Sequence, residues 1–179
     1  MAEVSCSLIS KVSFFDIYLK DDTSGEGMLG SRLLQEKEQD VMAAAILACM
    51  LASAMHYRLP PRVLPAIQRV EGGVMGKVSQ NTDGSVDIGL MQINSRWILP
   101  IASMTHQTPS QVAARLALEP CFNVSAAAMI LRTALDNEHG NLLRAIGDYH
   151  SRTLPLNMAY QRKVIAAATE LYVRQPSRG

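Results

Sequence analysis

Three polar side chains lie close together in this sequence with apolar residues and glycines around them: Glu71, Gln92 and Asn94. Leu64, Ile67 and Val70 recur at helical spacing before Glu71, and Gly72-Gly73 follow it. The spacing predicts a helix that ends at Glu71, with the paired glycines terminating it and allowing another segment to approach closely. The partial negative charge of a helix C-terminus opposes ionisation of a carboxyl placed there, as would Val70, Leu90 and Met91 if the chain folds back. A carboxyl kept protonated near neutral pH can act as a general acid. A lone glutamate at a helix end is more often a solvated residue, and the company of Glu71 is what singles it out. Gln92 and Asn94 return on a glycine-dependent turn, Met91 and Leu90 supply a cleft wall or core, and no lysine or arginine stands between Lys77 and Arg96. Amides that both donate and accept suit the hydroxyl and acetamido groups of a sugar.

The elements that must position these residues are helical. The 179-residue chain has the length of one ordinary domain, and alanine, leucine and methionine outweigh the scattered β-branched and aromatic residues. The fold class expected is mainly α with a small β-hairpin excursion. A net charge of +1 provides no basic field for nucleic acid. The four histidines are dispersed and the three cysteines (Cys6, Cys49, Cys121) show no metal-ligand spacing, so neither a metal nor a cofactor is expected. Spacing alone does not pair the cysteines.

Residues 1–40 mix Ser, Gly, Asp, Glu and Lys without sustained periodicity and are expected to form a peripheral, poorly ordered extension, with residues 41–175 as the domain. Phe14, Phe15, Ile17 and Leu19 suggest one short apolar element within the extension. The N-terminus lacks the basic start and apolar run of a signal peptide, which leaves Met28 and Met42 as alternative starts. Val41 to Ala54 is an apolar run of signal-peptide length ending in Ala52-Ser53-Ala54, and a buried helix is the favoured reading.

A first helix is predicted over about Gln39–Tyr57, stopped by Pro60-Pro61, and a second over Arg62–Glu71 with Pro65 tolerated in its first turn. Asp83-Gly84 between Val78 and Val86 predicts a two-stranded hairpin. Thr108-Pro109-Ser110-Gln111 reads as a capping box opening a helix to about Leu118. Pro120 breaks it. A further helix closes at His139-Gly140, Asn141 caps the next, which runs to Tyr149, and a last one runs from about Asn157 to Val173.

Three ordered motifs add a resemblance. Ala66-Ile67-Gln68-Arg69-Val70-Glu71-Gly72-Gly73, Asp87-Ile88-Gly89-Leu90-Met91-Gln92-Ile93-Asn94-Ser95 and Ala145-Ile146-Gly147-Asp148-Tyr149-His150-Ser151 resemble the lytic transglycosylases of the lysozyme-like superfamily. The match is nearest to the small specialised enzymes of type III and type IV secretion, conjugation and pilus systems, and it spans about Cys49 to Leu171. The resemblance implies a lysozyme-like domain and a periplasmic, monomeric protein. Its substrate would be the glycan strand of peptidoglycan and its partners components of a transport apparatus. It assigns Glu71 as the sole catalytic carboxyl, which protonates the bond between N-acetylmuramic acid and N-acetylglucosamine and then takes the proton of the muramic 6-hydroxyl to leave a 1,6-anhydro sugar. The substrate supplies the nucleophile, so the usual carboxylate pair is not needed.

By the same resemblance Gln92, Asn94, Tyr149 and Met91 form the substrate-binding set, with the Tyr149 hydroxyl reaching the acid or the substrate. It also implies a Cys49–Cys121 disulfide, with Cys6 left as the odd thiol. Gly72 stands where many relatives have serine, and Tyr149-His150-Ser151 where they read Tyr-Asn-Ala-Gly; both variants narrow the subgroup to the secretion-associated branch. Two alternatives remain beside the lytic transglycosylase. A hydrolytic muramidase would need Asp87 or Asp83 to act on water, although Asp87 reads better as a cap and Asp83 as a turn residue. A non-catalytic wall-binding assembly subunit would need no poised carboxyl.

Overall fold

A computed structural model describes residues 26–173. It is mainly α-helical, with one small three-stranded antiparallel sheet. By its internal contacts the chain divides after Val41, within helix α1 (Glu26–His56). The described part of the first unit is helical throughout, and its side chains from Arg32 to Val41 are exposed. Helix α1 therefore starts well before Gln39, inside the stretch expected to be an irregular extension; the Phe14–Leu19 element lies outside the described residues.

In the second unit, the run ending at Ala54 is a buried helix only in part. Met50 and Ala54 enter the core, whereas Leu47, Leu51 and Met55 remain exposed. One face of the helix packs and the other has no partner among the described residues. The segment Arg32–His56 is long and apolar enough to cross a membrane by length and composition. Cys49 is joined to Cys121, with 5.3 Å between their α-carbons, which ties this helix to the domain.

Helix α2 (Val63–Glu71) has no side-chain cap at Arg62, but it buries Val63, Leu64, Ala66 and Ile67. A missing cap costs about 1 kcal/mol, whereas each large apolar side chain fully buried contributes about 1.5–3 kcal/mol. Packing therefore decides the helix. Gly72, at φ 57°, ends it in the left-handed conformation that glycine adopts without strain, its N–H bonding to Gln68 O.

Strands β1 (Val78–Gln80), β2 (Val86–Ile88) and β3 (Ile93–Asn94) form the sheet in that order, with Ser79 opposite Asp87 and Asp87 opposite Asn94. The third strand extends the predicted hairpin. A 3-10 turn (Ser95–Trp97) leads into α3 (Ile98–Thr105), a helix for which the sequence offers little periodicity. Helix α4 (Pro109–Leu118) opens on the predicted capping box, with both the Thr108 and Gln111 bonds formed.

Pro120 breaks α4 and occupies the first turn of α5 (Pro120–Asn137), whose buried residues include Val124, Ala127, Ala128, Leu131 and Leu135. Asn141 caps α6 (Leu142–His150). Helix α7 (Leu154–Tyr172) starts before the predicted Asn157, because Pro155 falls in its first turn, where no N–H is needed. Helices α2, α5, α6 and α7 pack together around Leu64, Ile67 and Leu131, while Met91 and Ile93 seat the sheet on the same core.

Candidate functional site

The end of α2 and the turn after β2 meet at two glycines. A methyl group on Gly73 would lie 2.3 Å from Gly89 O and 2.4 Å from Leu90 O, so only glycine lets the two backbones approach. Gly89 itself is at φ 74° and is buried against Leu116 O and Asn123. Asn123, 1% exposed on α5, holds this turn from beneath. Its Oδ1 accepts from Met91 N at 2.7 Å, and its Nδ2 donates to Ile88 O at 2.9 Å and Leu116 O at 2.8 Å. These bonds satisfy backbone groups that a turn buried in the core would otherwise leave unpaired.

Glu71 is half-buried beside this turn. Burial is the largest influence on its carboxyl and raises its pKa, and nearby Asp87 raises it further; the Tyr160 hydrogen bond, Lys163 and Lys77 act the other way, and the net shift is upward. Its hydrogen-bond donor is the Tyr160 hydroxyl, from α7. Burial and Glu71 together raise the pKa of Tyr160, so its hydroxyl stays protonated and donates. The His150 ring lies flat on the Tyr160 ring, with centroids 4.9 Å apart and planes 6° apart.

The residues expected to bind substrate are near one another, but most of their polar atoms bond within the fold. Gln92, at φ 47°, donates from Nε2 to Gly89 O at 2.8 Å and accepts from Ser79 Oγ at 2.7 Å. Asn94 Nδ2 donates to Ser85 Oγ and Asp87 Oδ1, and its Oδ1 accepts from Arg96 N. The Tyr149 hydroxyl donates to Met91 O at 2.9 Å and so does not serve Glu71. Met91 is wholly buried. Of the two candidate aspartates, Asp83 Oδ1 closes the turn on Ser85 N and its Oδ2 pairs with Arg96 at 2.7 Å. Asp87 holds Asn94 across the sheet.

Tyr160, Asn123 and the His150 stack escape motif reading. Tyr160 shares a helix face with Val164 and Ala167, at i+4 and i+7, which signals burial and gives no sign of the carboxyl it meets. Two surface hollows of about 360 and 310 Å3, one lined by His56, Tyr57, Arg58, Arg132 and Asp136 and the other by residues between Asn137 and Arg152, share no residue with this set. Among the described residues no group of three or more His, Cys, Asp or Glu side chains is placed to hold a metal ion.

Packed helices beside a small sheet, with a half-buried glutamate ending α2, make a lysozyme-like domain. The chain belongs to the Transglycosylase SLT domain family, whose model matches residues 48–170. It is similar to invasion protein IagB of Salmonella typhimurium, from strains SL1344 and LT2, and of Salmonella typhi. Each is 29% identical over 121 residues, covering 65% of this chain and 72% of the relative. The resemblance to the secretion-associated branch is thus supported, and family and disulfide together place the domain in the periplasm.

The expectation of an active lytic transglycosylase, a lyase, is corrected by the same comparison. The relatives are designated by invasion and not by glycan cleavage, and the family match supports the fold rather than the bond-breaking step.

Proposed function

We propose that this chain is a wall-binding assembly subunit of a secretion or invasion apparatus, a non-catalytic use of the SLT fold in which the surface around Glu71 holds a peptidoglycan glycan strand. The observation that carries the proposal is the similarity to the Salmonella invasion proteins across 65% of the chain.

The geometry supports binding in a specific way. Burial raises the Glu71 pKa and so favours the protonated carboxyl, which both donates and accepts and suits sugar hydroxyls better than a carboxylate that only accepts. Gln92, Asn94 and Tyr149 act on the ligand indirectly, by shaping the turn and the sheet, since their polar atoms bond to Gly89 O, Asp87 Oδ1 and Met91 O. Met91 supports the same surface from within the core. Peptidoglycan strands and components of the apparatus are the partners in this reading.

Incubation of the purified protein and its Glu71→Gln variant with sacculi, followed by co-sedimentation and mass spectrometry of the soluble fraction, tests it. Wild-type protein is expected to sediment with sacculi and to release no muropeptides. Release of 1,6-anhydromuramic ends, or of reducing ends, by wild type and not by Glu71→Gln would overturn the assembly-subunit reading.

A further inference from the structure

We infer that His150 is a stacking platform for a pyranose ring of an N-acetylated glycan bound beside Glu71. The inference rests on the wall-binding reading and names a contact residue within that site.

His150 ends α6 and is exposed, while Tyr160 beneath it is 3% exposed. The imidazole lies parallel to the Tyr160 ring, so Tyr160 covers one face while the residue as a whole remains exposed. Tyr160, the ring on which His150 lies, ends on Glu71, so one aromatic ring separates the imidazole from the carboxyl. A flat ring with a fixed orientation suits the apolar C–H face of a pyranose, and an aromatic anchor held in one rotamer loses little entropy on binding.

The edge of the ring is also available. The His150 ring nitrogens make no hydrogen bond to the described residues, which leaves a donor and an acceptor for a sugar hydroxyl or acetamido group. Lys163 on α7 and Asp87 on β2 are the charged groups that act on the ring, and Tyr160 on α7 lies against it. Burial and Lys163 lower the His150 pKa against the opposing effect of Asp87, which favours the neutral ring. The last turn of α6 closes through Ser151 N on Gly147 O without the His150 side chain.

The test measures affinity for sacculi and for soluble N-acetylglucosamine oligomers with wild type, His150→Gln and His150→Phe, together with the thermal midpoint of each. Loss of the platform in His150→Gln is expected to weaken binding by roughly 3- to 10-fold with little change in midpoint, while His150→Phe keeps affinity within about twofold. Equal binding by wild type and His150→Gln overturns the platform and leaves the wall-binding reading standing. Loss in His150→Phe as large as in His150→Gln also overturns it, by showing that stacking is not what the ring supplies. Wild-type protein that binds neither sacculi nor oligomers overturns the wall-binding reading, and the platform with it.

Discussion

The hydroxyl of Tyr160 donates to the carboxyl of Glu71 across 89 residues of sequence, joining the last helix of the fold to the end of α2. The bond favours the ionised carboxyl while burial opposes it, and burial prevails. Tyr160→Phe removes the favouring influence and leaves the burial. The Glu71 pKa is therefore expected to rise above its wild-type value, read by NMR titration of the side-chain carboxyl carbon. An unchanged or lower pKa would show that the hydroxyl does not govern the acid.

Glu71 also makes stability depend on pH. Its folded pKa lies above the unfolded value of 4.5, so the folded state binds the proton more tightly than the unfolded one. The stabilisation is complete below the unfolded value and is lost as pH rises through the folded one. Glu71→Gln carries no ionisable group there. The variant is expected to melt above wild type at pH 7.5, with the gap shrinking toward pH 4; a gap independent of pH would contradict the shift.

Asn123 holds the turn from Ile88 to Met91 through three hydrogen bonds. Asn123→Ala leaves Met91 N, Ile88 O and Leu116 O without that partner in a dry site. The expected cost is about 3 kcal/mol, a fall of roughly 6–12 °C in midpoint for a domain of this size. Sacculus binding is expected to weaken with it, because the turn carries Gln92. A midpoint within 2 °C of wild type, a threshold of about half a kcal/mol, would argue against this anchor.

The Cys49–Cys121 bridge spans 72 residues. Chain-entropy reasoning for a loop of that length gives about 4 kcal/mol, so Cys49→Ser/Cys121→Ser, or reduction of the wild type, is expected to lower stability by that order in urea unfolding. Equal stability with and without the bridge would show that the two helices are held by packing alone.

Much of the fold is legible in the chain because its signals are local. Thr108 and Gln111 close a capping box, Asn141 caps α6, and Gly72 ends α2 in a conformation that favours glycine. Asp83 and Gly84 turn the hairpin. Each outcome depends on residues within a few positions of one another. The early start of α1 and the third strand were not legible in the same way, since neither has a strong periodic pattern of its own.

Sequence by itself determined that Glu71 sits at a helix end followed by two glycines, and that a Gly-Leu-Met-Gln-Ile-Asn turn returns near it. Tertiary structure alone decided which groups those side chains meet. Tyr149 falls on the motif, yet its hydroxyl goes to Met91 O; Tyr160 lies outside the motifs, yet it holds Glu71. A helical period shows which face is buried, but the hydrogen-bond partner of a buried hydroxyl depends on how segments 58 and 89 residues apart in sequence are packed, and no local pattern encodes that distance.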